Sequence, residues 1–418
     1  MITNTVKSAL KRAFSWLRYE RNEATAPDVG LTELDKAQPA TASLPAFPAE
    51  LAPVHLKPQP WRMAKTYKYS STLLRVPAPP TKPYIFPKVY GRPSLPLADE
   101  VLPDLHAPSA LNVSLAHNII LLPKNVVLSA DTSEILNYTF LRGPSQVHGG
   151  LSRLSKANDF QLRYSLSSPD AQQLDKPVFF ADTDRPGVYG HVLLEAITRL
   201  WALRQCGFDA SVATSVRMNK NYVRLFSYLG AKPDHMIVID RPLKMRQVIF
   251  PDLPMRRRTW IHPQAWTVFD TLKGLAKFST IDAPERIYIS RSRVKGRRLL
   301  NEAAVEELFK EKGFAIIHPQ DLPIEDQIKI FTTAKLIASV GGSAAHNALF
   351  APDDTKVLIL SSNGWLVNAD MLLSQVEGRL AYVFGEPVDR PTTTHRTQSA
   401  WTIDINQVAT AIKGHFDL

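Results

Sequence analysis

The chain has 418 residues, 44% hydrophobic and 21% charged, which is the composition of an ordinary globular protein with room for two domains. Lysine and arginine number 50 against 39 aspartate and glutamate, a formal net charge of +11, and this excess favours anionic partners such as phosphorylated substrates. The basic residues lack the tight runs with interleaved aromatic side chains expected of a nucleic-acid surface, so no nucleic-acid partner is predicted. A single cysteine excludes an intrachain disulfide and a cysteine-based zinc site.

Residues 1–21 predict an amphipathic helix. Val6, Leu10, Phe14 and Leu17 fall on one helical face, and basic residues lie largely elsewhere. Such a helix is able to lie in an anionic membrane interface, or to dock on the rest of the chain or on a partner protein. No apolar run reaches the roughly 18 residues that a transmembrane helix needs. We therefore expect a cytoplasmic protein, with peripheral attachment to the inner face of the membrane as one alternative.

Proline is frequent in the region that follows. Residues 24–60 are rich in alanine, proline and threonine with weak periodicity, which predicts a linker. Proline stays frequent to about residue 108, but aromatic side chains are interspersed there, so this part is interpreted as extended chain laid over a folded surface. Short apolar runs between residues 118 and 142 predict strands or a hairpin.

Strands and helices alternate from residue 177 onward. Residues 177–182 predict a strand, and a long helix is expected from about Tyr189 to Gly207. A second helix is predicted from Asn219 to Leu229, followed by a strand at 235–240. This alternation is typical of an α/β domain with a parallel sheet.

The same alternation resumes after residue 284. In chain order it consists of a strand at 285–290, a helix from Asn301 to near Gly313, a strand at 314–318, a helix at about 324–334, and strands at 336–340 and 356–360. A capping pattern at Asp404 predicts a last helix. Two α/β halves joined near residues 265–284 imply a cleft between them, which is a favoured place for ligands.

Arginines crowd the end of the first strand in the C-terminal half. Arg291 stands directly after that strand, and Arg297 and Arg298 precede the next helix. Parallel sheets bind ligands at the carboxyl ends of their strands, and arginine recognises phosphate in a bidentate manner. An exposed basic loop with no ligand is the alternative, but the position of these residues favours a phosphate site.

A glycine turn stands at the end of another strand of this half. Gly341 and Gly342 are followed by Ser343 and the short helix that contains His346. Small residues let backbone N–H groups approach an anion, and the start of a helix adds a partial positive charge. Ser343 and His346 are candidate side-chain donors. A tight strand-to-helix turn without a ligand is the alternative interpretation.

The helix predicted from Tyr189 carries a candidate acid–base pair. His191 and Glu195 are four residues apart and share one helical face. Histidine titrates near neutrality and is able to remove a proton from a hydroxyl group. Glu195 would orient the imidazole or act as the base itself. A helix-capping histidine paired with a structural glutamate remains the alternative.

These elements, in this order, resemble glycosyltransferase family 61, a group that includes bacterial capsular-polysaccharide transferases. The resemblance covers about residues 175–362, and two departures from the family pattern are Val192 in place of tryptophan and Gly341 in place of histidine. Four elements carry it: Tyr189-Gly190-His191 with Leu194-Glu195; Tyr288-Ile289-Ser290-Arg291 with Arg298 and Asn301-Glu302; Gly313-Phe314 with Glu325, Gln327 and Phe331; and Gly342-Ser343-Ala344-Ala345-His346-Asn347 with Phe350-Ala351-Pro352.

The resemblance implies a GT-B-like α/β architecture, in which two Rossmann-like domains face each other across a cleft behind a proline-rich N-terminal extension. The expected divisions are 1–60 for the amphipathic segment and linker, 61–275 for the acceptor-side domain, 276–390 for the nucleotide-sugar-binding domain, and 391–418 for the C-terminal helix. The Asp182-Thr183-Asp184 string resembles a metal-binding Asp-x-Asp element, but ordinary loop and cap roles are favoured. No metal ligand, cofactor or essential metal is expected.

The implied activity is an inverting hexosyl- or pentosyltransferase that moves a sugar from a nucleotide-sugar donor to a glycan or lipid-linked glycan in bacterial surface polysaccharide synthesis. A non-catalytic glycan- or nucleotide-binding scaffold of the same fold is the alternative. His191 and Glu195 are the expected catalytic residues. The expected donor-binding residues are Arg291, Arg297, Arg298, Glu325, Gly342, Ser343, His346 and Asn347.

Overall fold

The computed structural model describes residues 54–57, 59–65, 70–80, 87–91, 109–141, 148–154, 159–168, 170–206, 210–256, 260–362, 373, 376–388 and 399–418. The predicted amphipathic helix at 1–21 and most of the predicted linker lie outside these residues. Within them, no helix is long and apolar enough to cross a bilayer.

The described strands fall into two large sheets and two small ones. In chain order they are β1 (Val54–His55), β2 (Trp61–Arg62), β3 (Ser70–Val76), β4 (Lys88–Tyr90), β5 (Leu111–Leu122), β6 (Val126–Ser129), β7 (Leu151–Arg153), β8 (Asp159–Leu162), β9 (Asp170–Leu174), β10 (Val178–Phe180), β11 (Ser211–Thr214), β12 (Met236–Val238), β13 (Leu243–Pro251), β14 (Met255–Arg256), β15 (Trp260–Ile261), β16 (Arg286–Ile289), β17 (Ala315–Ile317), β18 (Leu336–Val340), β19 (Lys356–Ser362), β20 (Leu380–Pro387) and β21 (Trp401–Thr402).

Helices connect these strands. The α-helices are α1 (Tyr189–His191), α2 (Trp201–Cys206), α3 (Lys220–Tyr228), α4 (Pro263–Lys273), α5 (Glu302–Glu311), α6 (Ile324–Thr333) and α7 (Ile405–Ala411). Turns of π-helix lie at Val192–Ala196 and Ile412–Phe416, and the 3₁₀ segments are Asn137–Thr139, Ile197–Leu200, Pro233–His235, Gly274–Phe278, Pro319–Asp321 and Ser343–Phe350. The long helix predicted from Tyr189 is therefore a run of α-, π- and 3₁₀-turns that ends at Cys206.

The N-terminal sheet has nine strands around a parallel centre. The strands β12, β11, β10 and β13 are parallel neighbours in that order. β9 pairs parallel with the first three residues of β13, and β1 pairs antiparallel with β9. β10 is buried along its whole length, as expected for a strand covered on both faces. The chain leaves β10 toward β11 on one side and returns to β13 on the other, so the strand order reverses between β10 and β13.

A hairpin covers the other edge of β13. β5 pairs antiparallel with β13 and with β6, which confirms the predicted hairpin. The turn between the hairpin strands contains Lys124 and Asn125 with φ of 64° and 59°, a left-handed conformation that asparagine tolerates better than most residues. This turn reaches the carboxyl end of β10.

The C-terminal sheet is doubly wound. Its parallel order is β17-β16-β18-β19-β20, with β4 parallel to β20 and β21 antiparallel to it. Among the five strands of this parallel order, β16 comes first in the chain but second in space, so the order reverses between β16 and β18. In open sheets of this kind the ligand crevice lies at that reversal, outside the carboxyl ends of the strands. β4, which the sequence analysis assigned to the N-terminal region, joins the C-terminal sheet instead.

The described residues all belong to one compact unit, and one hydrophobic cluster includes side chains from both sheets and from α4. Phe269 of α4 contacts Phe350 of the C-terminal half edge-to-face, with ring centroids 5.8 Å apart. Burial of large aromatic side chains dominates core energetics, so these contacts hold the two sheets together. The predicted α/β class is confirmed.

Candidate active site

Arg291 stands at the strand reversal of the C-terminal sheet, held by a buried carboxylate. Its backbone N–H donates to Oε1 of Glu302, at 2.6 Å, and the hydroxyls of Ser290 and Tyr288 donate to the same oxygen at 3.2 and 3.3 Å. Burial raises the pKa of Glu302, while the bond from Arg291 opposes that rise. The Asn301-Glu302 element fixes the basic loop through Glu302.

The guanidinium of Arg291 lies against the glycine turn. A Cβ added at Gly342 would be 2.6 Å from Nη1 of Arg291, so only glycine admits the guanidinium at this distance. Nε of Arg291 is buried and has no hydrogen-bond partner among the described residues. Burial lowers the pKa of Arg291. A buried cationic donor without a partner is costly unless a ligand supplies an acceptor.

Arg297 and Arg298 are oriented through their backbone by β21. Nε1 of Trp401 donates to the Arg297 carbonyl at 3.3 Å, and the Trp401 N–H donates to the Arg298 carbonyl at 3.0 Å. Burial, with the charge of Arg291 second, lowers the pKa of Arg297 to about 10, so it remains a cation at neutral pH. Arg298 exposes its side chain. The positive charges of Arg291 and Arg297 repel each other. This repulsion favours the binding of an anion between the two guanidiniums.

The next residues of the glycine turn touch the helix that carries His191. A Cβ added at Gly190 would lie 2.6 Å from Cδ2 of His346 and 3.0 Å from Oγ of Ser343. His346 is buried. The predicted donor turn and the predicted base helix, which are about 150 residues apart in the chain, are therefore in direct contact.

Two other predicted donor ligands also take part in contacts between the halves. The Tyr189 hydroxyl donates to Oδ1 of Asn347 at 2.6 Å, and Nδ2 of the fully buried Asn347 donates to Gln327 at 3.2 Å. Glu325 pairs with Nε of Arg224 at 2.6 Å. Their polar atoms are engaged within the protein, and a direct role of Asn347 and Glu325 in donor binding remains a prediction.

His191 and Glu195 form a buried hydrogen-bonded pair. Nδ1 of His191 lies 2.9 Å from Oε2 of Glu195, as their shared helical face predicted. The Thr183 hydroxyl donates to the same Oε2 at 2.7 Å. Oδ1 of Asp184 lies 3.8 Å from Nδ1 of His191. These residues are all at most 7% exposed, so their interactions take place in a low-dielectric environment.

Asp182 and Asp184 have different surroundings. Asp182 accepts hydrogen bonds from the backbone of Asn125, at 2.9 Å, and from the backbone and hydroxyl of Ser215. These bonds lower its pKa, but burial has the larger effect and raises it. Asp182 therefore connects the end of β10 to the hairpin turn through a hydrogen bond. Asp184 accepts from the Gly149 N–H at 3.0 Å and also borders His191.

One set of side chains has the spacing of a cation site. Asp184, His191 and Glu195 each offer a ligand atom, and these atoms lie within 4.8 Å of one another. Two carboxylate oxygens and one imidazole nitrogen are suitable ligands for a divalent transition metal. A metal on Nδ1 would displace the direct His191–Glu195 hydrogen bond. In the sequence Asp184 is paired with Asp182 in the Asp-x-Asp string, but in the structure it lies with His191 and Glu195.

The fold and the site define an α/β protein with a basic crevice at one strand reversal and a buried histidine–carboxylate pair beside it. Residues 189–358 match the family model described as Glycosyltransferase 61. The match starts at the helix that bears His191, ends within β19, and confirms the predicted family: the chain carries a glycosyltransferase 61 domain. The match supports glycosyltransferase activity in general terms. No curated protein matches the chain.

Sequence reasoning did not assign roles to Thr183, Tyr189 or Gln327. In the sequence Thr183 is only the middle residue of an Asp-x-Asp string, and its contact with Glu195 depends on how the loop after β10 turns back onto the helix. The available signal was position, since Thr183 follows a buried strand next to the strand reversal of its sheet. Tyr189 and Gln327 meet Asn347 through packing that no local pattern encodes.

Proposed function

We propose that the protein is an inverting glycosyltransferase that moves a sugar from a nucleotide-sugar donor to a glycan hydroxyl. One observation carries the proposal. Gly342 of the glycine turn contacts Arg291, and the next residue, Ser343, lies against Gly190 beside His191. A site for a leaving diphosphate and a candidate base thus share one short turn. Proximity of this kind is what a transfer between two bound substrates requires.

His191 is the proposed general base. Its Nδ1 is engaged with Glu195, which leaves Nε2 as the nitrogen to accept the proton of the acceptor hydroxyl. The hydroxyl oxygen then forms a bond to the anomeric carbon of the donor as the bond from that carbon to the phosphate oxygen breaks. A single displacement of this kind inverts the anomeric configuration.

Arg291 is the principal proposed ligand of the departing diphosphate. Negative charge grows on the leaving phosphate oxygen during transfer, so a fixed cation stabilises the transition state more than the ground state. Arg297 and Arg298 add positive charge to the same loop, and the backbone of Gly342 and Ser343 offers N–H donors. Because these groups supply the charge that a divalent metal would otherwise supply, we propose that no metal is essential.

Further features of the proposal rest on the family and on composition. The GT-B-like arrangement, a hexosyl or pentosyl donor, a glycan or lipid-linked glycan acceptor and a role in bacterial surface polysaccharide synthesis follow from the resemblance to capsular transferases. A cytoplasmic location with peripheral attachment to an anionic membrane is supported by the amphipathic pattern of residues 1–21 and by the net charge of +11.

The test is a screen of nucleotide sugars and nucleoside diphosphates, measuring turnover and binding by the full chain with and without EDTA. Arg291→Ala is compared with Arg293→Ala, a matched control whose exposed guanidinium pairs with Asp321. Loss of a hydrogen bond to a charged group costs about 1.5–3 kcal/mol, so we expect nucleoside diphosphate affinity to fall roughly 10- to 100-fold in Arg291→Ala alone.

Each result has a distinct meaning. Turnover that survives EDTA supports the metal-free proposal, whereas loss that zinc or manganese restores would assign the Asp184, His191 and Glu195 set to a metal. If neither nucleotide sugars nor nucleoside diphosphates bind, the transferase proposal fails and the glycan-binding scaffold is favoured. Equal affinity of the two arginine variants would remove Arg291 from the donor site.

A further inference from the structure

We infer that Thr183 is a positioning residue that fixes Glu195, and through it selects the tautomer of His191. The inference rests on the proposed function, because it assigns a task to Thr183 in the transfer step. Thr183 lies on the loop after β10 and is fully buried. Its hydroxyl connects that loop to the helix that bears the candidate base.

The directions of the hydrogen bonds around Thr183 follow from its neighbours. The Arg185 N–H donates to Oγ1 of Thr183, at 3.3 Å, so Oγ1 is the acceptor in that contact. The hydroxyl proton is then available for Oε2 of Glu195, at 2.7 Å. Short bonds from a hydroxyl to a carboxylate are among the stronger hydrogen bonds in proteins. Oε2 is therefore held from one side by Thr183.

The same oxygen also contacts His191. An ionised carboxylate only accepts hydrogen bonds, so the 2.9 Å contact with Nδ1 places a proton on Nδ1 of His191. The neutral imidazole then has its lone pair on Nε2. An imidazole in the opposite tautomer would direct Nε2–H toward the acceptor and could not take its proton. Thr183 thus acts through Glu195 on the nitrogen that performs the chemistry.

Other charged groups lie near the Thr183–Glu195–His191 contacts, which we call the relay. Asp182 and Asp184 lie on the loop with Thr183, and Arg199 lies on the helical run with Glu195. Burial lowers the pKa of Arg199 to about 10, and the carboxylates of Asp252, Asp182 and Glu195 oppose that shift. Arg199 therefore remains a cation at neutral pH, near the carboxyl groups of Asp182 and Glu195.

The test compares Thr183→Val, which keeps the shape and removes the hydroxyl, with Thr183→Ser, which keeps the hydroxyl. Two readouts are used on the full chain. The first is the ¹³Cδ2 chemical shift of His191 in protein with labelled histidine, assigned by loss of the signal in His191→Gln, because this shift distinguishes the tautomers. The second is steady-state kinetics with saturating donor and acceptor.

In the wild type we expect the Nδ1–H tautomer at neutral pH. Thr183→Val should shift or broaden this signal and lower kcat roughly 10-fold, as expected for loss of one hydrogen bond to a charged group, with the donor KM unchanged. Thr183→Ser should restore both readouts. An Nε2–H tautomer in the wild type, or a Thr183→Val signal and kcat equal to wild type, would overturn the inference.

Two further outcomes separate this inference from the proposed function. A tautomer signal that responds to Thr183 in a protein with no transfer activity would leave the relay in place and reject the transferase. A fall in both kcat and thermal stability that serine does not rescue would assign Thr183 to folding alone, which also overturns the inference.

Discussion

The carboxyl ends of the two parallel sheets carry opposite charge. At the C-terminal strand reversal, Arg291 and Arg297 are partly buried, and the former has a guanidinium nitrogen with no partner among the described residues. At the N-terminal reversal, Asp182, Asp184 and Glu195 are buried almost completely. The same topological position thus serves as a basic crevice in one half and as an acidic support for a histidine in the other.

The two regions differ in what their charged side chains contact. Hydrogen bonds within the protein hold the acidic groups: Asp182 accepts from Ser215 and from the hairpin turn. Oε2 of Glu195 contacts the Thr183 hydroxyl and Nδ1 of His191. In the basic crevice, Nε of Arg291 is buried without a hydrogen-bond partner among the described residues, and a concave surface of positive charge suits an anionic substrate. Under the proposed function, the chain itself preorganises the acidic region, whereas the donor diphosphate would complete the basic one.

The contact between the two regions gives the prediction with the largest expected effect. In Gly190→Ala the new methyl group would lie 2.6 Å from Cδ2 of His346 and 3.0 Å from Oγ of Ser343. Overpacking of this kind costs about 1–3 kcal/mol, and the base helix would be pushed away from the donor turn. We expect transfer activity to fall by about 100-fold or more, because misplacement by about 1 Å can cost that much.

Gly187→Ala is the matched control, since nothing lies within 4 Å of a Cβ added there. Its activity and melting temperature should stay close to wild type. If Gly190→Ala retains full kcat/KM, transfer does not depend on the close contact between the glycine turn and the helix that bears His191.

A second prediction concerns the hydrogen bond that joins the halves beside this contact. Tyr189→Phe removes the donor to Asn347, whose Oδ1 is fully buried. An unsatisfied buried acceptor costs about 1–3 kcal/mol. We expect the melting temperature to fall and transfer to drop by roughly 10-fold or less, a smaller loss than with Gly190→Ala, because no atom is forced to move.

Tyr222→Phe controls for the general effect of losing a hydroxyl at this place. Tyr222 stacks on Tyr189 with ring centroids 6.4 Å apart, and its hydroxyl makes no hydrogen bond to the described residues. Equal changes in the two variants would show that the Asn347 bond has no special role. A change in Tyr189→Phe alone would show that the hydrogen bond from Tyr189 to Asn347 helps to hold the two regions together.

The two regions also differ in how far the sequence predicted them. Arg291 and Gly342 could be predicted because strand ends can be read from hydrophobic runs, and the carboxyl ends of parallel strands lie at one edge of the sheet. His191 and Glu195 were found because their spacing is local. Thr183 could not be assigned, since its partner depends on the path of a loop.

The roles of two predicted donor residues show a similar limit. Asn347 and Glu325 lie near the expected crevice in sequence, but their polar atoms contact Tyr189 and Arg224 from the other half. Local pattern gives the position of a side chain along an element, whereas the choice between ligand and partner depends on tertiary packing. β4 is a comparable case, because its pairing with β20 spans about 290 residues of chain.

The last prediction has the smallest effect on transfer and asks whether the two regions unfold together. His415 is buried behind the C-terminal sheet, where Nε2 donates to the Val357 carbonyl at 3.1 Å. Burial, assisted by the charge of Lys356, lowers the pKa of His415 to about 4. The unfolded chain binds this proton near pH 6.5, so the stability is complete above about pH 6.5 and falls as the pH drops toward 4.

His415→Gln keeps a donor for the Val357 carbonyl and removes the titration, so the melting temperature should depend less steeply on pH between about 4.5 and 6.5. His235→Gln is the control, because the His235 side chain is 42% exposed. Since one hydrophobic cluster spans both sheets, we expect a single transition that moves as a whole, with activity at neutral pH unchanged. Two separate transitions, of which only one responds to pH, would mean that the basic and acidic regions belong to independently folding halves.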